Sequence, residues 1–183
     1  MRGVTHIAGG VACALAVTKV TGMFLPETFS SAGEDAIFGT FLACAGIGAL
    51  LPDIDTKQSK ISHRYKLVSF FSRLFFTHRG FTHSALCMGL LGLVLWATQG
   101  FIPNGYGNVL FWGIMIGYGS HLILDAFNPM GVPLLYPCKI RFTFGKVRTG
   151  GLAEILVTLL MICICAYLGY TIVGYDFLSK IPL

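Results

Sequence analysis

Residues 109–125 read VLFWGIMIGYGSHLILD, and nothing in that run titrates near neutral pH or carries charge there before His121 and Asp125 at its end. Inside lipid a segment has to satisfy every backbone N–H and C=O by itself, so an apolar run of about 20 residues reads as a membrane-spanning helix. Working outward from Val109–Leu124, the runs Ile7–Leu25, Ala36–Leu51, Ser84–Ile102 and Leu152–Val173 have the same character, giving five expected spans. About 17 residues is a practical lower limit for a span. Ala36–Leu51 and Val109–Leu124 are therefore expected to be short, ending in the interface or continuing as buried helix.

The whole-chain composition leads to the same class. Of 183 residues, 55% are hydrophobic and only 11% are charged; the mean hydropathy is +0.74. An ordinary soluble domain carries about 25% charged residues. Disorder, a coiled coil and a small disulfide scaffold are all excluded. The expected fold is all-α, a single membrane-embedded helix bundle over residues 1–183 with an added interfacial helix. Cys13, Cys44, Cys87, Cys163 and Cys165 lie in apolar runs and only Cys138 in a polar loop, so they read as packing residues rather than a disulfide framework. Lys19 interrupts the first run and no cleavage site for a leader follows it, so the run reads as a retained span.

The net charge of +5 is informative through its placement. The loop Pro26–Asp35 holds Glu27, Glu34 and Asp35 with no Lys or Arg, and Thr98–Asn108 has no charge at all. The loop Pro52–His83 carries Lys57, Lys60, Arg64, Lys66, Arg73 and Arg79, and Ala126–Gly151 carries Lys139, Arg141, Lys146 and Arg148. Basic residues stay on the cytoplasmic side, which orients the chain with its N-terminus in and its C-terminus out. The excess charge is thus accounted for without nucleic acid. Within the first basic loop, Ile61, Tyr65, Val68, Phe71 and Phe75 recur at helical spacing among the cations. That pattern suits an amphipathic helix lying on an anionic membrane surface.

This topology, derived from Lys and Arg alone, gathers the metal-competent side chains on one face. His6 opens the first span; Asp53 and Asp55 follow the second; His78 and His83 precede the third; His121 and Asp125 close the fourth. His121 and Asp125, four apart, share a helix face and can reach one ion. Asp53 and Asp55 flank one residue, and two such close carboxylates repel unless protonated or bridged by a cation. His78 and His83 straddle Gly80, a spacing that suits a turn leading to a helix cap at Thr82 or Ser84. Ionisable groups at membrane depth are costly and mark function. Mixed nitrogen and oxygen donors without cysteine fit zinc, manganese or iron, and the donor count allows two or three ions. Glu154 reads either as a further ligand or as an acid favoured at a helix N-terminus, and His63 as a surface residue.

At these residues the chain resembles the YdjM-type membrane metal-dependent hydrolases. The resemblance rests on Leu51-Pro52-Asp53-Ile54-Asp55, on His78-Arg79-Gly80-Phe81-Thr82-His83-Ser84, on Gly117–Asp125 and on Gly131–Cys138. It covers the chain to about Phe142. Where that family has a histidine after its second aspartate, this chain has Thr56. The resemblance implies a bacterial inner-membrane protein under LexA control, hence an SOS-response role, with hydrolase activity. More distantly the His-x-x-x-Asp pair is similar to that of zinc phospholipase C and P1-type nucleases. That likeness implies His121 and Asp125 as ligands and Asp55 or Asp53 as a bridging or general-base carboxylate. The expected activity is cleavage of a phosphoester in a lipid headgroup at the cytoplasmic leaflet. His6, Asp53, Asp55, His78, His83, His121 and Asp125 would hold the metal. Arg79 would stabilise phosphate charge, while Lys139 and Arg141 hold the headgroup. The rivals are a metal transporter or a non-enzymatic protein with a structural metal. Transport is disfavoured because a transporter places ionisable groups near mid-membrane, whereas here they sit at the rim, apart from Lys19 near an outer end.

Overall fold

A computed structural model describes residues 1–25, 32–53, 80–103, 105–138 and 140–174. The amphipathic stretch expected over 61–75 lies outside them, as do Asp55, His63, His78, Arg79 and Lys139.

Among the described residues the chain forms α1 (Gly3–Thr21), α2 (Ala32–Gly48), α3 (Ala85–Thr98), α4 (Tyr106–Ala126) and α5 (Leu152–Gly169). Short tight turns at Leu51–Asp53 and Phe81–His83 lie between α2 and α3. Four helices, counting α2 with its following turn as Asp35–Asp53 and α5 with its extension as Leu152–Val173, are long and apolar enough to cross a membrane. The helical membrane bundle read from the sequence is therefore present.

Two lengths bear on the expected spans. α4 is the longest helix among the described residues: it starts three residues before Val109 and continues two past Leu124 as buried helix, with His121 and Asp125 inside the bundle. The shortest is α3, whose apolar stretch covers Ala85–Phe101. Its start is fixed by the Ser84 hydroxyl, which accepts a hydrogen bond from the Cys87 N–H at 3.1 Å. At the other end the helix tightens through Gln99–Phe101.

α4 is the centre of the bundle, packed against α1, α2 and α3, while α5 packs on the outer side of α1. Only 6% of the last span is buried in the protein, so its aliphatic residues face lipid. A cluster of Ala14, Phe41, Ala45 and Val109 fills the space between α1, α2 and α4.

Water-driven burial gives little attraction between helices already in lipid, so they associate where small residues allow backbones to meet. A Cβ at Gly117 would collide with the Ala45 carbonyl oxygen and stand 2.8 Å from the Ala49 nitrogen. A Cβ at Gly10 would lie 2.7 Å from that same Ala45 oxygen. One peptide of α2 thus receives α1 and α4 together. This three-way contact brings the helix ends bearing His6 and His121 to the turn bearing Asp53.

Candidate metal centre

Five of the seven side chains expected to bind metal meet at that end of the bundle: His6, Asp53, His83, His121 and Asp125. Asp55 and His78 lie outside the described residues. His6 and His121 are fully buried, and His83 and Asp125 are 1% exposed.

The five ligands come from four elements. His6 lies in the opening turns of α1, its ring stacked on that of His121 with centroids 3.7 Å apart and planes 18° apart. His121 and Asp125 lie one turn apart on the inner face of α4, with His121 Nε2 3.7 Å from Asp125 Oδ2. The turn Phe81–His83 presents His83, whose Nε2 is 3.3 Å from His121 Nε2, 3.5 Å from Asp53 Oδ1 and 3.7 Å from Asp125 Oδ2. His6 Nε2 stands 3.3 Å from Asp125 Oδ1. Asp53, with 25% of its side chain exposed, is at the mouth of the cluster.

The surroundings orient these rings as metal ligands require. A coordinating imidazole normally donates its other N–H to a fixed acceptor. His121 Nδ1 lies 2.7 Å from the Ala49 carbonyl oxygen and His83 Nδ1 lies 3.1 Å from Thr82 Oγ1. A carbonyl oxygen only accepts, so His121 Nδ1 donates and its Nε2 carries the lone pair toward the cluster; the Thr82 hydroxyl is able to accept from His83 Nδ1 and leave that Nε2 free in the same way. Tyr118 donates its hydroxyl to the Thr82 carbonyl and so holds the His83 turn against α4. His6 is the exception: its buried Nδ1 has no hydrogen-bond partner, and its Nε2 meets only the Asp125 carboxylate, at 3.3 Å. A buried polar atom without a partner is costly, and a cation at that nitrogen would satisfy it.

The spacing fits a cation as well. Two triads, His6–Asp53–His121 and His83–His121–Asp125, each offer ligand atoms within 4.8 Å of one another. Around a tetrahedral zinc with bonds of about 2.0–2.1 Å, neighbouring ligand atoms are about 3.3–3.4 Å apart. The contacts of 3.3 to 3.7 Å around His83 therefore need only small side-chain shifts. His121 offers one donor atom, Nε2, so the two triads compete for it. The same pocket accepts another cation: the α-ammonium of Met1 lies 2.7 Å from Asp125 Oδ1.

Glu154 is not part of either triad. Its carboxylate, 2% exposed, accepts hydrogen bonds from the Arg2 backbone N–H, from the Gly150 N–H at 2.5 Å and from Thr5 Oγ1 at 3.4 Å. It lies in the first turn of α5, so the helix-terminus reading holds, with the added task of fastening α5 to the start of α1. Substituting Glu154→Ala strands these donors. A loss of about 2–4 kcal/mol is expected, measured as a lower unfolding temperature in detergent, with every metal ligand intact.

Sequence reasoning had Thr82 only as a candidate helix cap, a place taken by Ser84, and missed Tyr118 and the Ala49 carbonyl as supporting groups. Thr82 directly precedes His83, and Tyr118 is three residues before His121 on the same helix face. The Ala49 carbonyl carries no side-chain signal.

Comparison with known proteins agrees with this architecture. The family model described as YdjM inner membrane protein matches residues 1–178. The chain is 37% identical over 158 residues to the uncharacterized protein YvsG of Bacillus subtilis, covering 86% of this chain and 87% of that one. It is 41% identical over 96 residues to the inner membrane protein YdjM of Escherichia coli, covering 51% of this chain and 47% of that one. The YdjM protein of Shigella flexneri matches to the same extent. No solved structure matches. A family match over nearly the whole length, together with the apolar helices, makes this a membrane protein that belongs to the YdjM inner membrane protein family.

Proposed function

We propose that this protein is a divalent-metal-dependent hydrolase embedded in the bacterial inner membrane, cleaving a phosphoester of a lipid headgroup at the cytoplasmic leaflet. The observation that carries this is the convergence of three imidazoles and two carboxylates from four elements at one end of an apolar bundle, with the His6 Nδ1 left without a hydrogen-bond partner. His6, His83, His121, Asp53 and Asp125 would hold the metal, with zinc best matched to a nitrogen-rich set and manganese or iron as rivals. When bound, the metal supplies Lewis acidity toward phosphoryl oxygens and a lowered pKa for water.

The chain's own groups divide the remaining work. Asp53 is the cluster's most exposed carboxylate, which suits it to take a proton from an attacking water. Asp125 and the rings beside it are closed off from solvent and keep the site rigid. Asp55 and His78 would complete the ligand set, Arg79 would meet phosphate charge, and Lys139 and Arg141 would bind the headgroup. Expression under LexA control belongs to the same proposal.

A structural metal that merely ties helix ends together is the second reading, favoured by the near-complete burial of four of the five ligands. Turnover separates the two. Metal-loaded protein should hydrolyse a phosphodiester such as bis(4-nitrophenyl) phosphate or a phospholipid. Asp53→Asn should lower that rate by about 100-fold or more while most of the metal stays bound through His83, His121 and Asp125. Absence of any turnover by the metal-loaded wild type, with metal bound, would favour the structural role.

A further inference from the structure

The segment 127–150, which joins α4 to α5, begins two residues after the ligand Asp125. It is well tied down. The Phe144 N–H donates to the Ala126 carbonyl at 2.7 Å and the Val147 N–H to the Phe127 carbonyl at 3.0 Å. Val132 and Phe142 exchange two backbone hydrogen bonds of 2.9 Å, and Asn128 Nδ2 donates to Thr149 Oγ1 at 3.1 Å. The Leu134 carbonyl accepts from the first N–H of α3. Val132 is buried on Tyr118, Leu122 and Ala126.

Its outer side is unlike an ordinary polar loop. Phe144 is 72% exposed, Ile140 60% and Met130 56%. Arg141, Lys146 and Arg148 are exposed among them, and residues 127–151 contain no acid at all. In water such apolar side chains would be a liability. Interleaved with cations at the end of a membrane bundle, they match a surface that seats its apolar groups in the headgroup region and its charges on lipid phosphates. Nucleic acid would meet the cations but leave Ile140 and Phe144 uncovered.

We infer that segment 127–150 is an interfacial platform that binds anionic phospholipid headgroups beside the metal-bearing helix ends. This deepens the headgroup contact that the hydrolase proposal gives to Arg141, but it does not depend on turnover or on bound metal. The test is native mass spectrometry of the full-length protein in detergent, titrated with phosphatidylglycerol or with phosphatidylcholine, with and without chelator. Wild type should prefer phosphatidylglycerol severalfold, and chelator should not change that preference. One kcal/mol per basic residue corresponds to about fivefold in affinity, so K146Q/R148Q should weaken phosphatidylglycerol binding by about tenfold or more. Its unfolding temperature and metal content should stay at wild-type values. Equal affinity of wild type for the two lipids would overturn the inference. So would unchanged phosphatidylglycerol binding by the folded variant, or displacement of that lipid by an RNA oligonucleotide. Loss of hydrolysis with lipid preference intact would count against the hydrolase proposal alone.

Discussion

Purified His121→Ala protein is expected to retain less than about a tenth of the metal bound by wild type. Losing even an outer partner of a ligand costs about 10–100-fold in metal affinity, and His121 is itself common to both triads. Neither His6–Asp53 nor His83–Asp125 keeps three ligands once its Nε2 is gone. The ring also fills a fully buried position against His6, so folding has to be monitored independently. His121→Gln keeps much of the volume and offers a poor ligand; it should remain monodisperse in detergent and still lose metal. Elemental analysis by inductively coupled plasma mass spectrometry decides the matter. Wild-type metal content in a folded His121→Gln protein would remove His121 from the site.

Gly117→Val is expected to have the largest effect on folding. Overpacking a well-filled interior costs about 1–3 kcal/mol when neighbours can shift. Here the nearest atoms are the backbone of Ala45 and Ala49, which cannot rotate away as a side chain would. Separating α4 from α2 would also pull the Ala49 carbonyl from His121 Nδ1, a contact of 2.7 Å. The variant should yield little folded protein, and what survives should be metal-poor. Gly119→Ala is the control two residues away. A Cβ there meets only the Met88 methyl at 3.5 Å, and removing a glycine from a helix interior gains up to about 1 kcal/mol. Size-exclusion profiles and unfolding temperatures in detergent should separate the two variants clearly.

Much of this molecule was legible in its sequence, for identifiable physical reasons. Apolar runs long enough for a bilayer can do little but form helices, so the bundle followed from composition and spacing. The meeting of His6, Asp53, His83, His121 and Asp125 followed from the uneven placement of Lys and Arg, which put all five residues at one end. What could not be read were properties of contact. Whether α4 stops at the interface or continues as buried helix to Ala126 depends on burial by neighbouring helices that no local pattern reveals. Ala49 orients His121 through a backbone carbonyl, which any residue would possess. Glu154 looked equally like a ligand and a helix-terminal acid until its partners, Arg2 and Gly150, were located.

Those partners also set a timetable. Arg2 and Glu154 are 152 positions apart, so α1 gains this fastening only after α2, α3 and α4 have been synthesised and α5 has begun. Until then the nascent N-terminal helix waits in the bilayer with its polar end incomplete. The helix that carries His6 is thereby anchored at its polar end by a residue made after every ligand of the described cluster.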